Sequence, residues 1–146
     1  MKKNRIRSIV ICLFRSDSRI LVSEGYDSVK GDHFARPLGG GVEFGEHSSD
    51  AIAREIREEL GVEIESPKLI GVLENIFTYN GEQGHEIVFV YDAEFRDKDL
   101  YERAELPYHE EGVDRAMTAH WRSPEELSQN NIRLVPEELS ELLLGL

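Results

Sequence analysis

The sequence predicts an α/β domain in which helices pack on a mixed β-sheet. Runs of β-branched and aromatic residues stand at residues 6–14 and 87–91. An apolar residue recurs every four positions through Ile52, Ile56 and Leu60, the stripe of a helix facing a core. A serine–proline helix start and a leucine stripe close the chain. With 146 residues the chain can build one real core but not two, so residues 1–146 are read as a single domain.

The elements follow in order. Residues 6–14 form the first strand. The basic start before this run imitates a secretory signal, but Arg15 and Asp17 follow at once and no small-residue cleavage site appears. Ser16-Asp17-Ser18 is a turn, and residues 19–23 are a returning strand. Residues 25–31 read as loop. Residues 32–45, punctuated by Pro37 and by glycines at 39, 40, 41 and 45, hold no long element. A helix follows, with Ser48 or Ser49 as N-cap and Gly61 just past its end. Residues 69–77 are a strand. Asn80-Gly81 is a hairpin turn that Gly84 extends, and residues 87–91 are a buried strand. Residues 96–115 are polar, contain Pro107 and read as a long surface loop. Residues 117–121 form a short strand. Ser123 caps a helix with Pro124 at its first position. Residues 136–144 form a last amphipathic helix, whose Leu139, Leu142 and Leu143 cover either the domain itself or a second subunit, which leaves a homodimer open.

Composition excludes several classes. No apolar run is long enough to span a bilayer. A net charge of -12 argues against gripping double-stranded nucleic acid through a basic surface. The single cysteine, Cys12, has no internal disulfide partner and reads as a buried small hydrophobe, which suits the cytoplasm. An acidic protein that handles phosphate needs a cation in between, and carboxylates that hold one account for part of the acidity.

The helix supplies such carboxylates. Glu55 and Glu59 lie about 40° apart around it, and Glu58 about 60° from Glu55 on the other side. Glu55 and Glu59 border the apolar stripe, while Glu58 points further out. Like charges at this spacing repel, and hard divalent cations such as Mg²⁺ or Mn²⁺ relieve them. The bland alternative is a solvated face laced with Arg–Glu pairs, the usual state of a charge run. The loop ahead of the helix shifts the balance. Gly39, Gly40 and Gly41 allow carbonyls and amides to approach a ligand closely. No lysine followed by serine or threonine closes this loop, which argues against a Walker-type NTPase.

Together these pieces resemble the Nudix box: Gly, five residues, Glu, seven residues, Arg-Glu, an aliphatic, any residue, Glu-Glu, any residue, Gly, an aliphatic. Here Gly40 leads to Glu46, then to Arg54-Glu55, Ile56, Arg57, Glu58-Glu59, Leu60, Gly61 and Val62, with every specified position matched. Such a match arises by accident on the order of once in a million chains or less. The box spans residues 40–62, about a sixth of the chain. Residues 121–127, running from Trp121 to Leu127, also resemble the family's strand end leading into a helix. One departure is visible: many members place proline directly before the glycine pair, whereas Leu38 stands there and Pro37 one residue earlier, with Phe34 the nearest aromatic.

The resemblance implies the Nudix fold, a mixed β-sheet sandwiched between α-helices, and hydrolysis of a pyrophosphate bond in a nucleoside diphosphate linked to another group. Nucleoside triphosphates, ADP-ribose, dinucleoside polyphosphates and nucleotide sugars all fit. It implies Mg²⁺ or Mn²⁺ as cofactor, with Glu55 and Glu59 the principal ligands and Glu58 a further ligand or the base. The Gly39 carbonyl completes the set, Gly40 and Gly41 lie against substrate, Arg54 holds the glutamates, and Glu46 bonds within the loop–helix junction. Members often recruit an acid outside the box, for which Glu111 is the first candidate, also as a ligand, and Glu86 the second. The bland reading of each is a solvated surface glutamate.

Phe77, Tyr79, His85 and Tyr91 are candidates to stack on a base, although strand aromatics are more often core. Arg5, Arg7, Arg15, Arg19 and Arg36 are candidates to meet phosphate, against ordinary surface charge. His33 and His85 are candidate polar contacts, against solvated histidine. Two other classes compete with the hydrolase: a non-catalytic Nudix-like module that binds nucleotide or protein, which a damaged box would favour, and an acidic interaction domain, which an absence of saturable Mn²⁺ binding would favour.

Overall fold

The computed structural model describes residues 4–146. Its order is β1 (Ile6–Leu13), β2 (Arg15–Ser16), β3 (Arg19–Asp27), β4 (Asp32–Pro37), β5 (Gly39–Gly41), α1 (Ser48–Leu60), β6 (Ile64–Tyr79) and β7 (Glu82–Phe95). A short 3-10 helix (Lys98–Glu102) follows, then β8 (Glu105–Tyr108), β9 (Met117–Arg122), α2 (Pro124–Gln129), β10 (Ile132–Leu134) and α3 (Leu139–Leu144). The expected α/β architecture with mixed strand pairing and flanking helices is present, with the strands divided between two sheets.

The first sheet has the order β5-β1-β7-β6, with β1 and β7 parallel. The second runs β10-β4-β3-β9-β8, with β10 parallel to β4 and β2 folded back on β3. Strand β1 explains its own composition. Val10 and Cys12 pack with Ile52 and Ile56 of α1 in one apolar cluster. Ile9, Ile11 and Leu13 pack with Leu127 of α2 and Leu139 of α3 in the other. A strand covered on both faces reads as a continuous apolar run. The C-terminal leucines therefore cover their own domain, with Leu142 and Leu143 against the second cluster.

Several sequence expectations are corrected. Strand β3 continues through Gly25 to Asp27, because Gly25 faces Phe34 across the strand pair and a Cβ there would overlap the ring. Residues 32–45 contain two strands. In β5, Gly39–Gly41 pair with β1, and a Cβ at Gly39 would strike the Val10 carbonyl. Strand β6 is longer at both ends, with register shifts near Lys68 and Leu69 that disguise its period. The hairpin turn is Asn80-Gly81 alone, at φ 50° and 83°, and Gly84 lies inside β7. The region 96–115 is not simply loop. Leu100, Leu106 and Tyr108 are buried and anchor the 3-10 helix and β8. Strand β10 falls among residues with no strand signal, and α3 begins later than Pro136.

The N-cap of α1 is His47, whose carbonyl accepts from the Asp50 and Ala51 amides. The Ser48 hydroxyl turns instead to the Tyr91 hydroxyl at 2.7 Å. Ser123 does cap α2, accepting from the Glu126 amide at 3.0 Å. Gly61 ends α1 at φ 70°. Among the described residues no helix is long and apolar enough to cross a membrane.

Candidate functional site

The apolar stripe of α1 fixes where its glutamates fall. Ala51, Ile52 and Ile56 are fully buried, so the helix cannot rotate without exposing them. Glu59 then sits at the core margin, only 8% exposed, while Glu58 has a side chain 54% exposed. Glu55 lies between them, under the glycine loop. A Cβ at Gly40 would overlap the Glu55 carboxyl group, so only glycine leaves room for it.

Arg54 organises the junction. Its Nε and Nη2 donate to the two Glu46 carboxylate oxygens at 2.8 and 2.9 Å, a two-pronged contact. Nη2 also donates to the Gly41 carbonyl at 2.9 Å, and Nη1 donates to Glu55 Oε1 at 2.9 Å and Glu58 Oε2 at 3.3 Å. One guanidinium thereby ties loop, helix start and two acids together. Beside Arg54 and the Glu43 amide, the Glu46 carboxyl is held down to about 2. Arg54 itself is raised by the same contacts.

The other two acids move the opposite way. Burial raises Glu55, against the pull of Arg54 and with the push of Glu58 and Glu111. Burial, then the charge of Glu55, pushes Glu59 up to about 8. Among the described residues, Glu59 Oε1 is buried with no hydrogen-bond partner. A cleft of about 960 Å³ opens here, lined by Gly39–Gly41, Glu55, Glu58, Glu59, Arg5, Arg7, Glu110 and Glu111. The His109 amide donates to the Glu59 carbonyl at 2.8 Å, which pins the loop after β8 to the end of α1 and hangs Glu110 and Glu111 over the cleft.

Among the described residues no three acid, histidine or cysteine side chains converge into a ready-made cage. Arg54 draws Glu55 and Glu58 to itself, while Glu59 stands apart. The donor set nevertheless fits a hard divalent cation: carboxylates and glycine carbonyls are its preferred oxygens, and the buried unpartnered oxygen of Glu59 gains most from one.

A second cavity of about 620 Å³ lies between the two sheets, next to the cleft. Arg36, Gly39, Glu59 and Glu110 line both spaces. Phe34, Phe77, Tyr79, Asn75 and Gln83 line the cavity alone.

Against this geometry the sequence candidates divide. Glu55, Glu58, Glu59, Arg54 and Gly39–Gly41 come together around the cleft, with Glu46 behind them on Arg54. Glu111 joins them. Glu86 lines the cavity and is 7% exposed, so it is no surface glutamate; its register partner on β1 is Arg7, whose Nη1 lies 3.9 Å from Glu86 Oε2. Phe77 and Tyr79 face the cavity, whereas Tyr91 is core, and His85 lines neither space. Arg5, Arg7 and Arg36 reach the cleft, but Arg15 pairs with Asp92 and Arg19 with Glu126 at the surface. His33 leans on Tyr26, ring centroids 4.7 Å apart. Sequence reasoning missed Glu110, Asn75 and Gln83 as lining residues. Only the neighbourhood of Glu111 hinted at the first, and nothing local marked the others.

The model of the NUDIX domain matches residues 4–143. Among solved structures, a MutT NUDIX hydrolase from Burkholderia pseudomallei is 25% identical, with TM-score 0.66 over 96% of this chain and 98% of that one. A NUDIX hydrolase from Nitrosomonas europaea is 19% identical, with TM-score 0.64 over 97% and 90%. A UDP-X diphosphatase is 20% identical, with TM-score 0.61 over 99% and 64%. The last two show likeness of fold. The intact box now has its structural setting, and with a family match over nearly its whole length this chain belongs to the Nudix family, whose members hydrolyse pyrophosphate bonds.

Proposed function

We propose that this protein hydrolyses the diphosphate bond of a nucleoside diphosphate linked to another group, with Mg²⁺ or Mn²⁺ as cofactor. The observation that carries the reading is the buried, unpartnered carboxyl oxygen of Glu59 at an acid-lined cleft, inside a complete box. A buried acid without a partner is costly and calls for a compensating cation.

Glu55, Glu58 and Glu59, with the Gly39 carbonyl, would hold the ion, and Glu111 would join them from the loop above. When bound, the ion supplies positive charge to the diphosphate and lowers the pKa of a water beside it. The chain's own residues do the rest. Arg54 keeps Glu55 in place, and Gly40 leaves it space. Glu58, with its exposed carboxylate, accepts a proton from the attacking water. Water adds to one phosphorus, the bridging P–O bond breaks, and the other phosphate leaves with the bridging oxygen. The cavity between the sheets receives one of the two groups attached to the diphosphate.

The test is a product-release screen with Mg²⁺ or Mn²⁺ over nucleoside triphosphates, ADP-ribose, dinucleoside polyphosphates and nucleotide sugars, with a chelated control. Ion-dependent cleavage of one class is the expected result. Failure to cleave any, together with saturable nucleotide binding, would replace the hydrolase by a binding module.

Gly40→Ala should weaken Mn²⁺ binding about tenfold or more, because the added methyl group displaces the Glu55 carboxylate. A titration followed by electron paramagnetic resonance reads this directly. Unchanged affinity would remove Glu55 from the ligand set.

A further inference from the structure

Arg36 is placed unlike the other arginines of this chain. It lies on β4, two residues after Phe34, so both side chains share the strand face that turns into the cavity. It also lines the cleft, which makes it, among the described residues, the one cationic side chain at the junction of the two spaces. It is only partly exposed, and its guanidinium has no hydrogen bond and no ion pair among the described residues. Its charge acts on Glu59 and on Tyr108. A half-buried guanidinium with five unused donors is an anion site in waiting, and its flat fork matches a phosphate.

The cavity beyond Arg36 has two aromatic walls built in the same way. Phe34 lies over its register partner Gly25 in the second sheet, and Phe77 over its register partner Gly84 in the first. A Cβ at either glycine would overlap the ring. Each ring therefore lies against backbone, Phe34 also meeting Tyr79 at near right angles with ring centroids 5.6 Å apart, and the two come from opposite sheets. Asn75 and Glu86, themselves register partners, add an amide and a carboxylate to the same space. Flat apolar walls with a few polar groups suit a planar, hydrogen-bonding ring system. The cavity, about 620 Å³, has the volume for a nucleoside.

We propose that Arg36 binds the substrate phosphate on the cavity side of the cleaved bond, and that the nucleoside carried by this phosphate lies between Phe34 and Phe77. The inference rests on the hydrolase reading for the word substrate, but the binding it describes exists without turnover. The nucleoside monophosphate produced by cleavage remains on Arg36, while the other product leaves from the cleft.

The experiment is calorimetric titration of the full chain, in chelator, with AMP, GMP, CMP and UMP and with the four matching nucleosides. Chelation ensures that the phosphate meets Arg36 and no ion. Wild-type protein should bind at least one monophosphate. Arg36→Gln should weaken that binding about tenfold or more and leave the matching nucleoside unchanged. Arg36→Lys should recover part of the loss, since it keeps charge without the fork. Should Arg36→Gln fail to fold, Arg36→Lys carries the test, with monophosphate affinity lowered about threefold and nucleoside affinity intact. Binding of no monophosphate by the wild type, equal binding by the variant, or an equal loss for the nucleoside would each overturn the proposal. Because turnover is not measured, these failures stay separate from a failure of the cleavage screen.

Discussion

Glu59→Gln will lower turnover by about a thousandfold or more while raising the melting temperature of the chelated protein. The two effects have one cause. Glu59 is 8% exposed, carries a partnerless buried oxygen and lies beside the charge of Glu55. Ionising it inside the fold is unfavourable, so its carboxyl is pushed from an ordinary value of 4.5 to about 8. A raised value means that the protonated form favours the folded state. That contribution is complete below the ordinary value and is lost as pH rises through about 8. The loss at pH 7 is on the order of 3 kcal/mol. Glutamine never ionises and escapes it. Thermal melts of wild type and variant from pH 5 to pH 8 in chelator should therefore diverge as pH rises, with the variant higher by roughly 5 °C or more at the top. Added Mn²⁺ should raise the wild type and leave the variant behind. A variant that keeps wild-type turnover would remove Glu59 from the ion's ligands, and parallel melting curves would show that its carboxyl is not buried as described.

Arg54→Ala should lower both turnover and stability, turnover by about a hundredfold or more and the melting temperature by roughly 5 °C. The substitution frees Glu46, Glu55 and Glu58 at once and leaves the Gly41 carbonyl without its donor. Loop and helix then lose the contact that sets their separation, and three carboxylates lose their nearest cation. Arg54→Lys should recover little, because an ammonium group cannot reach both Glu46 oxygens and Glu55 together. Steady-state kinetics and melts on the two variants separate these effects. Wild-type kcat in the lysine variant would mean that charge alone is required and the fork is not.

The sequence made the acids and glycines of the cleft legible because they are local. Glu55, Glu58 and Glu59 sit on one helix, and their placement follows from helical period once Ile52 and Ile56 face the core. The loop's glycines are contiguous with it. The cavity was illegible for the complementary reason. Its walls depend on cross-strand register, which joins Gly25 to Phe34 and Phe77 to Gly84, and no window along the chain contains both sheets. Glu86 looked like a surface residue at the start of a strand, yet β7 begins earlier, at Glu82, and parallel pairing with β1 sets it beside Arg7. Strand lengths failed where glycine usually ends a strand but here leaves room for a neighbour. Gly25 and Gly84 are such places.

Strand β1 has neighbours on all four sides: β5 and β7 along its edges, α1 over one face, and α2 and α3 beyond the other. The glycine loop is hydrogen-bonded to it at both ends, through the Cys12 amide to the Leu38 carbonyl and the Val42 amide to the Ser8 carbonyl, each at 3.0 Å. Freeing that loop means unzipping the central strand, and unzipping the central strand dismantles both cores. The box therefore has no private way to breathe: heat inactivation and loss of the fold should be one event, with tolerance to temperature set at the protein's spine.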